Sequence, residues 1–369
     1  MNVDDINIAV RDDECIAIIN NKAYKISYMF YSIIIMLKQG VCLNDAVNIL
    51  FCKSEDKQSA KNTFTDFMNY AAGNHENKSS YIKFKIIIFH KNIAEKISAI
   101  FQFLFNSYIF ISLFIISAVI NVIFFFLIHY QFDGFNSNFS IIELWILFIL
   151  SNIFVVFHEI GHASASLKFK LPAKDIGFGF YFIFPVFFTD VTRIWMLSKK
   201  ERIMVNIAGI YFQLIINVLL ILLFFLIDSE LVKRFILYFV FSNILVATYS
   251  FIPFFRNDGY WIYSDLFKIK NLLSESDNLS NNILKGKAMK DVGKNIPLII
   301  FTISNWIFRF YILVKLCIFI INKFRTFNYL QFDTDTLISI VSSLVSMLGI
   351  FMILKLIYRT FVKQLKSNL

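Results

Sequence analysis

Residues 143–168 read ELWILFILSNIFVVFHEIGHASASLK. The run from Trp145 to Phe157 is apolar apart from Ser151 and Asn152, and with its continuation it reaches the roughly 20 residues a helix needs to cross a bilayer. His158, Glu159 and His162 then follow without a break in the pattern. Ionisable groups inside a span cost about 2.5–3.5 kcal/mol each for a centred charge on insertion scales, so three at this spacing call for a compensating partner. On a helix His158 and His162, four residues apart, share a face and can take two corners of a tetrahedral zinc site. Glu159 stands beside those corners, where its carboxylate would take a proton from a zinc-bound water and pass it to a leaving amine. The competing explanation is that the three side chains only pair with one another, or with polar groups, inside a helix bundle.

Composition supports a bilayer as the natural solvent. The 369 residues are 57% hydrophobic, 18% aromatic and 17% charged, with 46 phenylalanines and a mean hydropathy of +0.64. Soluble domains run at about 45–50% apolar and about 25% charged, so a water-soluble globular protein is excluded. The net charge of +10 fits cytoplasmic loops better than a nucleic-acid surface, since no contiguous basic stripe occurs. Cys15, Cys42, Cys52 and Cys317 lie far apart, which points to ordinary reduced thiols.

Apolar runs near 104–128, 141–166, 203–227, 235–255, 296–322 and 337–357 predict six transmembrane helices. The loop 129–140 carries no Lys or Arg, whereas 168–202 carries Lys168, Lys170, Lys174, Arg193, Lys199, Lys200 and Arg202, which places the latter and both termini in the cytoplasm. Residues 1–75 read as a small α+β module: strands at 6–10 and 15–19, a helix over 27–38 stopped by Gly40, and helices at 43–51 and 62–70. The acidic start excludes a signal peptide. Residues 76–101 read as a linker followed by a Lys-rich amphipathic segment on the membrane surface. The membrane domain is 102–369, with its catalytic core at 140–266.

The stretch 176–197 is apolar enough for a seventh span, but Gly177, Gly179, Pro185, Asp190 and Arg193 break helix logic. Its aromatic and β-branched residues favour a re-entrant β-hairpin, which membranes tolerate only where protein or a water-filled cavity surrounds it.

Hydrolytic zinc sites hold three protein ligands, so two imidazoles need a third. Asp258, in FIPFFRNDGYW (residues 251–261) after the fourth span, is the candidate. Two crossings separate it from His158, so both fall on the cytoplasmic side; a seventh span would part them. The alternative for Asp258 is a turn aspartate pairing with Arg256.

HEIGH in one span, AG-x-x-x-Q (residues 208–213) in the next and PFFRNDGY (residues 253–260) after the third resemble the site-2 intramembrane zinc metalloproteases, over about 140–266. The likeness extends to a bacterial branch of peptide zinc metalloproteases, through DGYW and FPVFF at 184–188. It implies zinc on His158, His162 and Asp258 and a basic role for Glu159. The family often has Asn where this chain has Gln213, and another before the DG turn where it has Ser250 or Ile252. Gln213 and Asn217 are therefore candidates to hydrogen-bond substrate or oxyanion, with a helix–helix hydrogen bond as the alternative for each. The N-terminal module resembles, by order and length, winged-helix domains that bind leader segments of modified peptides. An edge strand near Cys15 to Asn21 would take such a leader, or the module is simply a stabilising cap.

A substrate must be extended for its peptide carbonyl to be reached, and the 176–190 hairpin, with Gly177, Gly179 and Phe180, is placed to pair with it. The expected function is a zinc endopeptidase of the bacterial cytoplasmic membrane acting on a membrane-associated precursor peptide. A regulatory protease cutting a transmembrane signalling protein is the alternative within the class. A non-catalytic peptide transporter or immunity protein, using Asn305 and Arg309, is the alternative outside it.

Overall fold

The computed structural model describes residues 6–11, 14–20, 22–51, 54–72, 82–129, 140–171, 175–181, 184–284 and 295–326. Contacts gather them into two units: those within Met1–Ile252 together with Asn257–Ile262, and Pro253–Arg256 together with those from Tyr263 onward.

The first unit opens with β1 (Asn7–Arg11), β2 (Glu14–Ile19) and β3 (Lys22–Ile26), an antiparallel sheet in the order β1-β2-β3. Helices α1 (Tyr28–Lys38), α2 (Leu43–Leu50) and α3 (Ser54–Ala72) follow. The Ser27 hydroxyl accepts from Phe30 N–H at 3.2 Å to start α1, and Gly40, at φ +85°, takes the left-handed turn after it. The sequence predicted two strands; the third was missed because KAYKI presents two lysines and little apolar alternation. With it in place, β2 pairs on both sides, Ala9↔Ile16 and Ile16↔Lys25, so Cys15–Ile19 is the central strand and not an edge. The edges are β1 and β3.

One face of this sheet, with Cys15, Ala17 and Ile19, packs on Ile33, Ile34, Val47 and Phe64 of the helices. The other carries Ile16 and Ile18, which are also buried. All three strands pack against a 3₁₀ turn at Thr192–Met196, and Arg11 Nε donates to the Met196 carbonyl at 3.3 Å.

The segment expected along the membrane surface is divided. Its first part is β4 (Ile82–Phe89), which pairs antiparallel with β5 (Ile176–Tyr181), and only the second part is a helix, α4 (Lys91–Phe101). The Lys–apolar alternation of KFKI fits a strand as well as a surface helix, and a distant pairing partner decides it. β5 and β6 (Phe184–Thr189) form the hairpin, in register Ile176↔Thr189 and Phe178↔Phe187, giving a second sheet ordered β4-β5-β6. Gly177 is needed there, because a Cβ would lie 2.7 Å from both the Ile86 carbonyl and the Phe188 ring.

The long helices are α5 (Ser107–His129), α6 (Ile141–Lys168), α7 (Lys199–Leu226) and α8 (Glu230–Phe251). Ser140 and Glu143 cap α6 reciprocally, as Ser198 and Glu201 cap α7. Short α9 (Asp258–Phe267) follows.

In the second unit α10 (Leu272–Leu284) packs on α11 (Ile296–Thr326). Trp306 Nε1 donates to Ser280 Oγ at 3.0 Å, and Arg309 approaches Asp277 at 3.9 Å. Among the described residues five helices, α5 to α8 and α11, are long and apolar enough to cross a membrane. The predicted span at 337–357 lies outside the described residues.

Candidate metal centre

The half of α6 that carries the histidines is the buried half: every residue from His158 to Ser166 is buried, whereas Trp145, Phe148 and Ile149 are exposed. It lies against the first half of α7 at very short range. A Cβ on Gly161 would sit 2.6 Å from the Ala208 carbonyl oxygen, and one on Gly209 would land on the His158 imidazole. Small residues at a helix crossing allow this approach, and here the space freed by Gly209 is occupied by a candidate ligand.

α7 also orients the second imidazole. His162 Nδ1 lies 2.7 Å from the Val205 carbonyl, which assigns the proton to Nδ1 and leaves the Nε2 lone pair for a metal. That Nε2 sits 3.1 Å from His158 Nε2. Asp258 completes the group, with Oδ2 3.0 Å from His158 Nε2 and Oδ1 3.4 Å from His162 Nε2.

Two facing imidazole nitrogens and a carboxylate are the donor set of a catalytic zinc site, and these residues fit that ion. Glu159 is buried beside them, its carboxylate within 4.8 Å of both imidazole donors.

Asp258 is held by its neighbours. Asn257 Nδ2 donates to the Tyr249 carbonyl at 2.6 Å, and its Oδ1 accepts from Tyr260 N–H at 3.4 Å. Gly259 lies so close to Phe251 that a Cβ would fall on that residue's carbonyl. Trp261 meets Trp195 edge to face at 5.6 Å.

The candidates on the substrate side separate. Gln213 is fully buried, and neither its Nε2 nor its Oε1 has a hydrogen-bond partner among the described residues. It continues the stripe Val205, Gly209, Gln213 at four-residue spacing, the stripe that meets the histidines. Asn217 donates to Asn121 Oδ1 at 2.8 Å and accepts from Asn243 at 3.1 Å, linking three helices. The helix–helix alternative therefore describes Asn217 and not Gln213. On the hairpin, Phe188 lies over Gly177 with Lys85 Nζ 5.1 Å from its ring, so that face of Gly177 is occupied by the protein itself. Phe180 pairs edge to face with Phe178 at 5.4 Å. Next to the glutamate, Thr189 of β6 donates to the Glu159 carbonyl at 3.1 Å.

Sequence reasoning missed Val205, whose backbone carbonyl has no side-chain signature, and the Trp195–Trp261 contact. Gly209 stood within a family pattern without a derived role.

A bundle of membrane-length helices that gathers a His-Glu-x-x-His pair and a distant aspartate defines a membrane metallopeptidase architecture. Peptidase family M50 matches residues 145–364, and the chain belongs to that family. It is also similar to a Bacillus subtilis (strain 168) protein named "Putative peptide zinc metalloprotease protein YydH", 29% identical over 191 residues, which cover 51% of this chain and 71% of that protein. No solved structure matches. Family membership supports a membrane zinc peptidase.

Proposed function

We propose that the chain is an intramembrane zinc endopeptidase that cuts a membrane-associated, leader-bearing precursor peptide. It would lie in a bacterial cytoplasmic membrane with both termini and the site toward the cytoplasm, as the Lys and Arg distribution suggests. The observation that carries this reading is the convergence of His158, His162 and Asp258 beside Glu159.

Zinc, when bound by His158, His162 and Asp258, supplies Lewis-acid polarisation of the scissile carbonyl and acidification of water. Glu159 takes a proton from the attacking water and returns it to the leaving amine nitrogen. Gln213, with a donor to spare, is the residue for a developing oxyanion or the substrate backbone. Among the described residues β6 pairs with β5 on one side only, so a substrate strand can add at its other edge, near Glu159. The leader, in this reading, adds to β1 or β3 of the N-terminal sheet.

Two measurements test this. Zinc content of the detergent-purified protein should be about one per chain for wild type and Glu159→Gln and lost in Asp258→Ala. Membrane peptides from cells carrying wild type or Glu159→Gln should differ by a short precursor left uncut in the variant. Identical peptide profiles from zinc-loaded proteins would overturn the protease reading, and a transporter using Arg309 and Asn305 would replace it.

A further inference from the structure

The turn Thr192–Met196 joins three parts of the first unit. It follows β6 directly, the strand whose Thr189 holds the Glu159 carbonyl. It is the surface on which all three N-terminal strands pack. Its Trp195 touches Trp261, one helical turn after Asp258 on α9.

Each contact has a cause. In the N-terminal sheet the register puts Asn7, Ala9 and Arg11 of β1 on the same face as Ile16 and Ile18 of β2 and Ala23 and Lys25 of β3. On that face Ile16 and Ile18 are 5% and 4% exposed; all three strands pack against the turn, and Arg11 Nε donates to the Met196 carbonyl. From the other side, the Arg202 guanidinium lies 5.7 Å from the Trp195 ring while its Nη1 donates to the Leu197 carbonyl at 2.8 Å. Trp261 is in turn gripped by Tyr260 at 4.8 Å, edge to face. Rings in these arrangements have few rotamers and a preferred mutual angle, so the placement of Trp195 limits where the first turn of α9 can sit. Asp258 is the first residue of that turn.

We propose that Trp195 is a positioning residue for Asp258, and that docking of the N-terminal sheet on the 192–196 turn sets zinc affinity through the Trp195–Trp261 contact. The inference rests on Asp258 as a zinc ligand and goes beyond it.

The test is zinc affinity by competition with a chromogenic chelator, on the full-length detergent-purified chain. The set is wild type, Trp195→Ala, Trp195→Phe, the double variant Ile16→Ala with Ile18→Ala, and Asp258→Ala. Groups that orient metal ligands are worth roughly 10- to 100-fold in affinity, and Trp195→Ala should lose about that much. Trp195→Phe, which keeps a ring edge, should stay within about threefold of wild type. The double variant should weaken zinc in the same direction, with helix content unchanged by circular dichroism. If Trp195→Ala does not fold, Trp195→Leu, with apolar volume but no ring, takes its place. Wild-type zinc affinity in the Trp195 and Ile16/Ile18 variants, with Asp258→Ala deficient, overturns the inference. Wild-type affinity in Asp258→Ala overturns the ligation on which it stands.

Discussion

The two halves of α7 carry buried polar contacts in opposite ways. Up to the midpoint Val205 and Gly209 serve the histidine rings, and at the midpoint the amide of Gln213 is unmatched among the described residues. In the second half Asn217 is matched on both sides, by Asn121 of α5 and Asn243 of α8, and Asn121 also donates to the Ser117 and Leu214 carbonyls. The apolar surroundings divide at the same place: Val205, Ala208, Tyr211 and Phe212 belong to a core with Ile160 and Ala163, whereas Ile221 belongs to one with Phe124, Leu237 and Val240. A buried amide without a partner is costly, and among the described residues Gln213 carries that cost whereas Asn217 does not. One helix thus holds an unmatched buried amide and a matched one a single turn apart.

This contrast predicts a dissociation between activity and stability along α6 and α7. The largest effect is expected for Glu159→Gln, where loss of a general base should lower turnover by about 10²–10⁴-fold with an unchanged melting temperature; unchanged turnover in a peptide-cleavage assay would remove Glu159 from the chemistry. Next, Gln213→Leu should cost turnover about 10²-fold, the lower end of what loss of one oxyanion donor costs, while leaving unfolding in detergent unchanged or shifted toward greater stability. Gly209→Ala pushes a methyl group into the His158 ring, and zinc affinity measured by chelator competition should fall by roughly 10- to 100-fold. Smallest is Asn217→Ala, for which interhelical hydrogen bonds in membranes suggest a loss of about 0.6–1.7 kcal/mol in a denaturant titration, with zinc content at the wild-type level. Equal responses from Gln213 and Asn217 would erase the contrast.

Much of this organisation is legible in the residues. The apolar runs mark the helices, although α7 begins at Lys199, capped by Ser198 and Glu201, one turn before the apolar run at 203. The hairpin follows from glycines and aromatics that suit a strand better than a helix, and the histidines, Glu159 and Asp258 follow from spacing and topology. What stayed illegible depends on partners distant in sequence. Whether Ile82–Phe89 is a strand depends on β5, beyond α4, α5 and α6. The amides of Gln213 and Asn217 look alike until Asn121 and Asn243 are seen beside one of them. Trp195 and Trp261 are two aromatics among many until their rings meet. The guanidinium of Arg309, which the transporter alternative would use, lies over Trp306 at 5.4 Å and near Asp277.

The second sheet has a consequence for biosynthesis. β4 leaves the ribosome before α5 and α6, whereas β5, its only partner among the described residues, follows both. Phe84, Ile86 and Ile88 of β4 are exposed even when paired, and an unpaired apolar strand is a target for wrong association. β6, the strand beside Glu159, therefore joins a three-stranded sheet only after both apolar helices α5 and α6 have been made. Assembly of that sheet is in this way tied to the placement of α5 and α6, and a chain in which they do not bring β4 and β5 together is left without it.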